Sequence, residues 1–493
     1  MKKHPNILIL LSDQHRWNTL GCYGNEDVIS PSFDRMAAEG VRFTNSVSAS
    51  PVCSPFRGTL QTGLYPHQHG IVRNNLRFRE GLTYLAERFN AHGYASCYIG
   101  KAHWHDSGSK TDPGYIPPKF RCGWQTWYGE NRGHYQFDMP DFDENGEQTH
   151  RYRGRYEPEV QTELATDFIH RQGEHPWIMQ LNWGGPHNAS QNHLYVQPHI
   201  QEKMRQLNRE LGLGLPDEKF DPDKTRFPSQ WIPQQWVDPI VPERYMDMYD
   251  RDTLTLDPNV DENLRACMPY RLHEYYAMVT SLDDQLARIL SLLNEVAPDT
   301  IVVYTSDHGD VLGTFGQPRG KARPVQNAYR TPLIVWGPSR ICKGVTTDNL
   351  VNSVDLVPTL LDLAGLPVTD DLPGVSAAGW CTGDTGRRQE NVLLGLDNWR
   401  ALLDGRFCYA IEARDGRAEP IRLTDVVRDP GDSNNLVGQS EFHETQARLH
   451  RVLMERLAAV NDHDFLHRCG DTAANDAGHG IGGKACAMEQ QGG

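Results

Sequence analysis

An α/β fold with a large, mostly parallel mixed sheet flanked by helices is what three features of this 493-residue sequence predict. Short apolar runs recur as far as Gly365, helix-period segments lie between them, and polar residues cluster directly after the runs. The runs NILILL (6–11), ASCYIG (95–100), WIMQLNW (177–183) and TIVVYTS (300–306) read as buried strands, with PLIVWG (332–337) as a fifth. A strand buried on both faces needs such a continuous apolar run, whereas a half-exposed strand alternates. Between the runs, SPSFDRMAAEG, GLTYLAERFNAHG and the segment 273–296 read as helices. In the last of these, Val279, Leu282, Leu286, Ile289 and Leu293 recur three or four apart, which makes one face apolar. Strands alternating with helices mean βαβ units, and ligands then bind beyond the carboxyl ends of the strands.

Two stretches break the alternation. Residues 105–160 are rich in Gly, Tyr, Trp and charge, and 188–260 in Pro, Gln, Asp and Trp. Both read as long insertions in a catalytic domain spanning 1–375. In the first, Trp124, Trp127, Tyr128, His134 and Tyr135 form either sugar-stacking walls or the core of the loop itself. Residues 376–470 suggest a smaller α+β subdomain on a short antiparallel sheet. Its strands are NVLLGLD, WRALLDGRFCYAIEA and PIRLTDVV, with a helix near 440–459. The Gly- and Ala-rich remainder, 471–493, reads as a flexible tail.

A net charge of −15 argues against nucleic acid and anionic membrane as partners, since both favour basic surfaces. It leaves room for an anionic substrate held by a few cations in a cleft. No stretch approaches the ~20 apolar residues that span a bilayer. The opening MKKHPNILILLSDQHR has an apolar run too short for a secretory leader and no small-residue cleavage site. The expected location is therefore the cytoplasm, or the periplasm or cell exterior if a leader has been removed. Ten scattered cysteines form no CxxC pair, so neither a zinc knuckle nor a disulfide framework is expected.

The residues after the strands carry the chemistry. The first strand ends in Asp13-Gln14-His15-Arg16, and TIVVYTS ends in Asp307-His308-Gly309-Asp310. If those strands are parallel neighbours, Asp13, Gln14, Asp307 and His308 converge as an oxygen-dominated set suited to Ca²⁺, Mg²⁺ or Mn²⁺. Each pair alone could equally be turn formers and caps. Lys101 and His103 follow ASCYIG, His187 follows WIMQLNW, and a Gly-rich loop after DHGD ends at Lys321. Together with a metal they describe an oxyanion-binding cleft. Within SASPVCSPFRGTLQTG, Pro55 suits a first helical turn, which would put Cys53 at a helix N-terminus, where negative charge is favoured. A thiolate of lowered pKa is one outcome.

The run Cys53-Ser54-Pro55-Phe56-Arg57 resembles the C-x-P-x-R element of the type I sulfatases, in the alkaline phosphatase superfamily. SDQHR, GKAHWH, GGPHNAS, TSDHGD and GKARPVQNAYRTPLIVWGP follow that family's order, and WRALLDGRFCYA with DVVRDPGDSNNL resembles its C-terminal subdomain. The resemblance implies an alkaline phosphatase-like fold and a metal-dependent sulfatase acting on a sulfated carbohydrate or small sulfate ester. It also implies that a maturation enzyme oxidises Cys53 to formylglycine, whose hydrate attacks sulfur. The metal, with Ca²⁺ ahead of Mn²⁺ or Mg²⁺, would be bound by Asp13, Gln14, residue 53, Asp307 and His308. Arg57 would hold the hydrate and the carboxylates, Lys101 and Lys321 the sulfate oxygens, and His187 the leaving alcohol. His103 would take the proton that expels sulfate. A homo-oligomer is compatible with the resemblance.

Three positions depart from the common pattern: Gln14 replaces a second aspartate, His308 an asparagine and Phe56 a small residue. GKAHWH likewise replaces the more frequent GKWH while keeping its lysine and histidine. The Gln/His set also occurs in phosphonate monoester and phosphodiester hydrolases, which makes that activity the alternative. A catalytically silent relative that binds anionic glycans is the third reading.

Overall fold

The computed structural model describes residues 4–106, 114–131, 136–187, 241–317, 320–384 and 387–470, with Gln206 and Arg209. Its larger sheet has eight strands: β1 (Asn6–Asp13), β2 (Val41–Val47), β3 (Ala95–Lys101), β4 (Thr126–Glu130), β5 (Trp177–Pro186), β6 (Thr300–Ser306), β7 (Leu333–Trp336) and β8 (Val345–Asn352). Their order is β4-β3-β5-β1-β6-β7-β2-β8, and only β7 runs antiparallel to its neighbours. All eight residues of β1 are buried, as its unbroken apolar run predicts. Ile7, Ile9 and Leu11 enter one core with Phe56 and Leu60, while Leu8 and Leu10 enter the other with Phe33, Phe168 and Leu282. Successive residues of a strand face opposite ways, so a two-faced core follows from period two.

The helices that build those cores are α1 (Pro31–Ala38), α2 (Cys53–Thr62), α3 (Glu157–Gln172), α4 (Met268–Val296) and α5 (Leu356–Leu363). Helix α4 extends the 273–296 pattern by one turn and also caps the start of α1. Both Asp283 carboxylate oxygens accept from Ser32 N, at 2.9 and 3.0 Å, and Phe33 N adds a 2.8 Å bond. Those are first-turn amides that lack a partner within their own helix.

Every residue of α2 is buried. Pro55 stands in its first turn, where a missing N–H costs nothing, and Gly63 closes it at φ 75°. Gly58 is mid-helix because a β-carbon there would lie 2.6 Å from Cε1 of His69. That ring cannot easily yield: its Nε2 lies 3.2 Å from Thr59 Oγ1, and its Nδ1 accepts from Ile71 N at 3.1 Å. Gly58→Ala is therefore expected to cost about 1–2 kcal/mol. Overpacking of about 1–3 kcal/mol outweighs the ~1 kcal/mol of helix propensity that alanine restores. A urea midpoint shift measures it, and an unchanged or raised midpoint would contradict the packing argument.

The smaller sheet is antiparallel, in the order β12-β11-β10-β9: β9 (Val392–Leu396), β10 (Trp399–Leu403), β11 (Phe407–Arg414) and β12 (Arg417–Asp425). WRALLDGRFCYAIEA thus splits into two strands at a turn around Gly405. Helix α6 (His443–Ala459) covers the sheet through Leu449, Leu453 and Leu457.

Part of the stretch read as an insertion is structural, since residues 126–130 form the edge strand β4, paired parallel to β3. The sugar-stacking reading of two tryptophans is corrected. Trp124 is buried and donates its indole N–H to Gln61 at 2.8 Å, while Trp127 stacks on Tyr98 at 4.8 Å beneath Arg121. Both join the core that α2 and β3 build on one face of the large sheet. His134, Tyr135, residues 471–493 and most of 188–260 lie outside the described residues. All the described cysteines are free, and no helix among the described residues is long and apolar enough to cross a membrane.

Candidate active site

Strand register builds the centre of the site. In the parallel β1–β6 pair Ser12 lies opposite Ser306, so Asp13 and Asp307 emerge side by side at the carboxyl edge. The β1–β5 register shifts between Ser12 and Asp13, bringing Asp13 opposite Pro186, and His187 N donates to Asp13 O at 3.1 Å. Helix α2 then points its N-terminus into the same place. Cys53 is its first residue, 1% exposed, with Sγ 3.2 Å from His308 Nε2 and 3.7 Å from Asp13 Oδ1. Lys321 Nζ donates to Sγ at 3.0 Å.

Two aspartates this close repel, and the structure answers with cations. Arg57, wholly buried one turn along α2, donates through Nη2 to Asp13 at 3.1 Å and Asp307 at 3.2 Å. Its Nη1 donates to Lys101 O at 2.6 Å. Lys101 Nζ donates to the same Asp13 oxygen at 2.6 Å. Asp13 therefore spends Oδ2 on cations and turns Oδ1 toward Cys53 and His308. Burial raises the Asp307 pKa, and Asp13 adds to that, against the opposing charges of His308 and Arg57. For Cys53, burial is the largest influence and disfavours the thiolate, as does Asp13. Lys101, Lys321 and His308 together outweigh both, and the thiol falls well below its usual value. Burial and the charge of Lys101 lower His103 to about 4, so its imidazole is neutral at pH 7 and able to take a proton.

Ligand atoms of Asp13, Cys53, Asp307 and His308 all lie within 4.8 Å of one another. His308 Nδ1 lies 2.9 Å from Gly309 O and donates to it, so Nε2 is the nitrogen that faces inward and, once deprotonated, offers its lone pair to a cation. Lys321 Nζ rests against Gln14 Oε1 at 3.3 Å, Cys53 Sγ at 3.0 Å and His308 Nε2 at 3.1 Å. The same donor atoms thus already accept one positive charge. Two carboxylates, an amide oxygen and an imidazole suit a hard divalent cation, so the residues fit the metal the sequence implies.

Every site residue named from the sequence reaches this region. Asp13, Gln14, Cys53, Arg57, Lys101, His103, Asp307, His308 and Lys321 form one connected group. His187 joins through its backbone. Gln14 and His103 hold left-handed backbones, φ 62° and 60°, a strain that concentrates at functional sites. Sequence reasoning missed several supporting residues. Asn182 accepts from Arg57 at 3.4 Å, Asn74 accepts from Ser54 N at 3.1 Å, and Asp310 accepts from the Gln14 amide. Asp310 obeys the strand-end rule that singled out its neighbours, whereas Asn182 lies within β5. Asn74 left no such signal. Glu130 and Glu157 are also buried here. Desolvation raises Glu130 to about 8 and Glu157 well above the usual carboxylate value.

The sequence model of the sulfatase family matches residues 5–366, and that of the C-terminal region of N-sulphoglucosamine sulphohydrolase matches 322–459. The chain is 29% identical to the ulvan-active sulfatase of Formosa agariphila, over 93% of this chain and 82% of that protein. It is 25% identical to the N-acetylglucosamine-6-O-sulfatase of Bacteroides thetaiotaomicron, over 94% and 88%. A Bacteroides fragilis protein assigned as the sulfatase yidJ has a crystal structure that superposes with a TM-score of 0.75. The two share 23% identity over 96% of this chain and 98% of that one, a likeness of fold.

Proposed function

Because the chain belongs to the sulfatase family of sulfuric ester hydrolases, we propose that it removes sulfate from a sulfated carbohydrate, with residue 53 as formylglycine and one divalent metal. The observation that carries this reading is the ring of groups around Cys53: Asp13, His308 and Lys321 within 3.7 Å of Sγ, at the N-terminus of a buried helix. Asp13, Gln14, Asp307 and His308 would hold the metal beside residue 53. When bound, it supplies Lewis-acid polarisation and lowers the pKa of an attacking hydroxyl.

The remaining steps belong to the chain's own side chains. Lys101, Lys321 and the α2 N-terminus are preorganised positive charge for the sulfate oxygens, and no reorganisation is needed as charge develops. Arg57 holds Asp13 and Asp307 in place and opposes the rise in the Asp307 pKa. His187 protonates the departing sugar oxygen. His103, neutral near pH 7, takes the proton whose loss from residue 53 releases sulfate and restores the aldehyde. The overall charge of −15 does not oppose an anionic substrate, because these cations lie within the site.

One observation favours a second reading. Gln14 contributes a neutral amide where a second carboxylate is common, a set compatible with a phosphonate monoester or phosphodiester. Matched aryl sulfate and aryl phosphodiester substrates separate the two. The expected result is a kcat/KM at least about tenfold higher for the sulfate, equivalent to about 1.4 kcal/mol, and lost on treatment with a chelator. The reverse preference would sink the sulfatase reading. Mass spectrometry of the Cys53 peptide from the native host, finding only thiol, would sink the formylglycine.

A further inference from the structure

An amide has two ends, and only one of them can serve a cation. Gln14 stands among ionisable residues, so something must decide whether its carbonyl oxygen or its NH₂ group faces the site. Its backbone does not, being already fixed. Gln14 N donates to Asp307 Oδ1 at 3.0 Å, and Gln14 O accepts from the Tyr275 hydroxyl at 2.6 Å. The choice falls to Asp310. Gln14 Nε2 donates to Asp310 Oδ2, while Oε1 accepts from Lys321 Nζ at 3.3 Å. A carboxylate only accepts, so it draws the NH₂ outward and turns the oxygen inward.

Asp310 is itself held. It is fully buried, and its Oδ1 accepts from Gly320 N at 2.8 Å and Leu312 N at 3.3 Å. Val311 N donates to Gly320 O at 3.0 Å, closing the base of the loop one residue before Lys321. One carboxylate thus grips both the Gln14 amide and the start of the segment that carries Lys321.

We propose that Asp310 is a positioning residue that presents the Gln14 carbonyl oxygen to the catalytic divalent cation and registers Lys321 beside it. This rests on the metal reading of the preceding subsection. It also explains how a glutamine can stand in for a carboxylate ligand: its orientation is imposed from behind.

The test uses full-length protein stripped of metal and titrated with Ca²⁺ by calorimetry. Asp310→Asn retains shape, and the Gly320 and Leu312 amides hold its oxygen, so an NH₂ group now faces Gln14 and turns that amide over. Affinity is expected to fall by about tenfold or more, the usual scale for an outer-shell partner of a metal ligand. In the reciprocal pair Q14E/D310N, the carboxylate now at position 14 can only accept and the amide now at position 310 donates to it. Affinity should then return to within about threefold of wild type. Wild-type affinity in D310N, or a double variant no better than D310N, would overturn the proposal. A second readout needs no metal. In ¹⁵N-glutamine-labelled protein, the Gln14 side-chain NH₂, identified by its loss in Gln14→Glu, should exchange slowly in wild type and rapidly in Asp310→Ala. No saturable Ca²⁺, Mg²⁺ or Mn²⁺ binding by wild type would sink the metal reading. The NH₂ signal then decides the orientation separately: protection lost in D310A supports it, and rapid exchange in wild type overturns it.

Discussion

Cys53→Ala is expected to lower kcat/KM toward an aryl sulfate by on the order of 10⁴-fold or more, with the protein still folded. Removing a nucleophile takes away a bond-forming partner that no neighbour replaces, and such losses reach the background left by binding and charge stabilisation alone. The structural cost is small by comparison. The group lost from residue 53 is small and leaves a site that is 1% exposed, and a deletion of that size costs about 1 kcal/mol. Lys101, Lys321 and Arg57 remain, so substrate should still bind. The pattern that identifies a nucleophile is thus a collapsed kcat with little change in substrate affinity or urea midpoint. Activity within tenfold of wild type would remove residue 53 from the chemistry.

Arg57→Ala should produce the largest loss of stability. The guanidinium is 0% exposed and bridges two carboxylates that are also 0% exposed, at 3.1 and 3.2 Å. Deleting one partner from a buried ionic cluster leaves uncompensated charge, at a cost of about 3–5 kcal/mol, a large part of the ~5–15 kcal/mol that holds a domain folded. Arg57→Lys should recover less than half of it, because one ammonium cannot span both carboxylates and also reach Lys101 O. The pH dependence has a definite sign. The folded-state pKa of Asp307 is already raised, and losing Arg57 raises it further. A carboxylic acid with a raised folded pKa contributes its stability below the unfolded value, about 4, and loses it as pH rises through the folded pKa. The gap between wild type and Arg57→Ala in urea unfolding should therefore narrow as pH falls toward 4. A gap that widens on acidification would contradict this account.

Much of the fold was legible because burial on both faces writes itself into a strand as an unbroken apolar run. NILILL, ASCYIG, WIMQLNW and TIVVYTS became β1, β3, β5 and β6 with ends close to those expected. Strands β2 and β8 escaped notice because VRFTNSV and VTTDNLVN mix polar and apolar residues. β4 escaped because TWYGE sits amid loop-like composition and gains its strand character only by pairing with β3. The aromatic residues near it misled for the same reason, since composition does not say whether a tryptophan faces solvent or the main core.

By itself the sequence determined the chemical inventory: which residues follow the buried strands, and the C-x-P-x-R element that marks Cys53. Those properties are local, because a strand's end and a helix's first turn are set by neighbours along the chain. Tertiary structure decided how the inventory is wired. The β1–β6 register sets Asp13 beside Asp307, α2 delivers Arg57 to both, and Asp310 chooses which end of Gln14 faces inward. Each of those contacts joins positions about 40 to nearly 300 residues apart, where energy depends on distance in space and desolvation rather than on spacing in the chain.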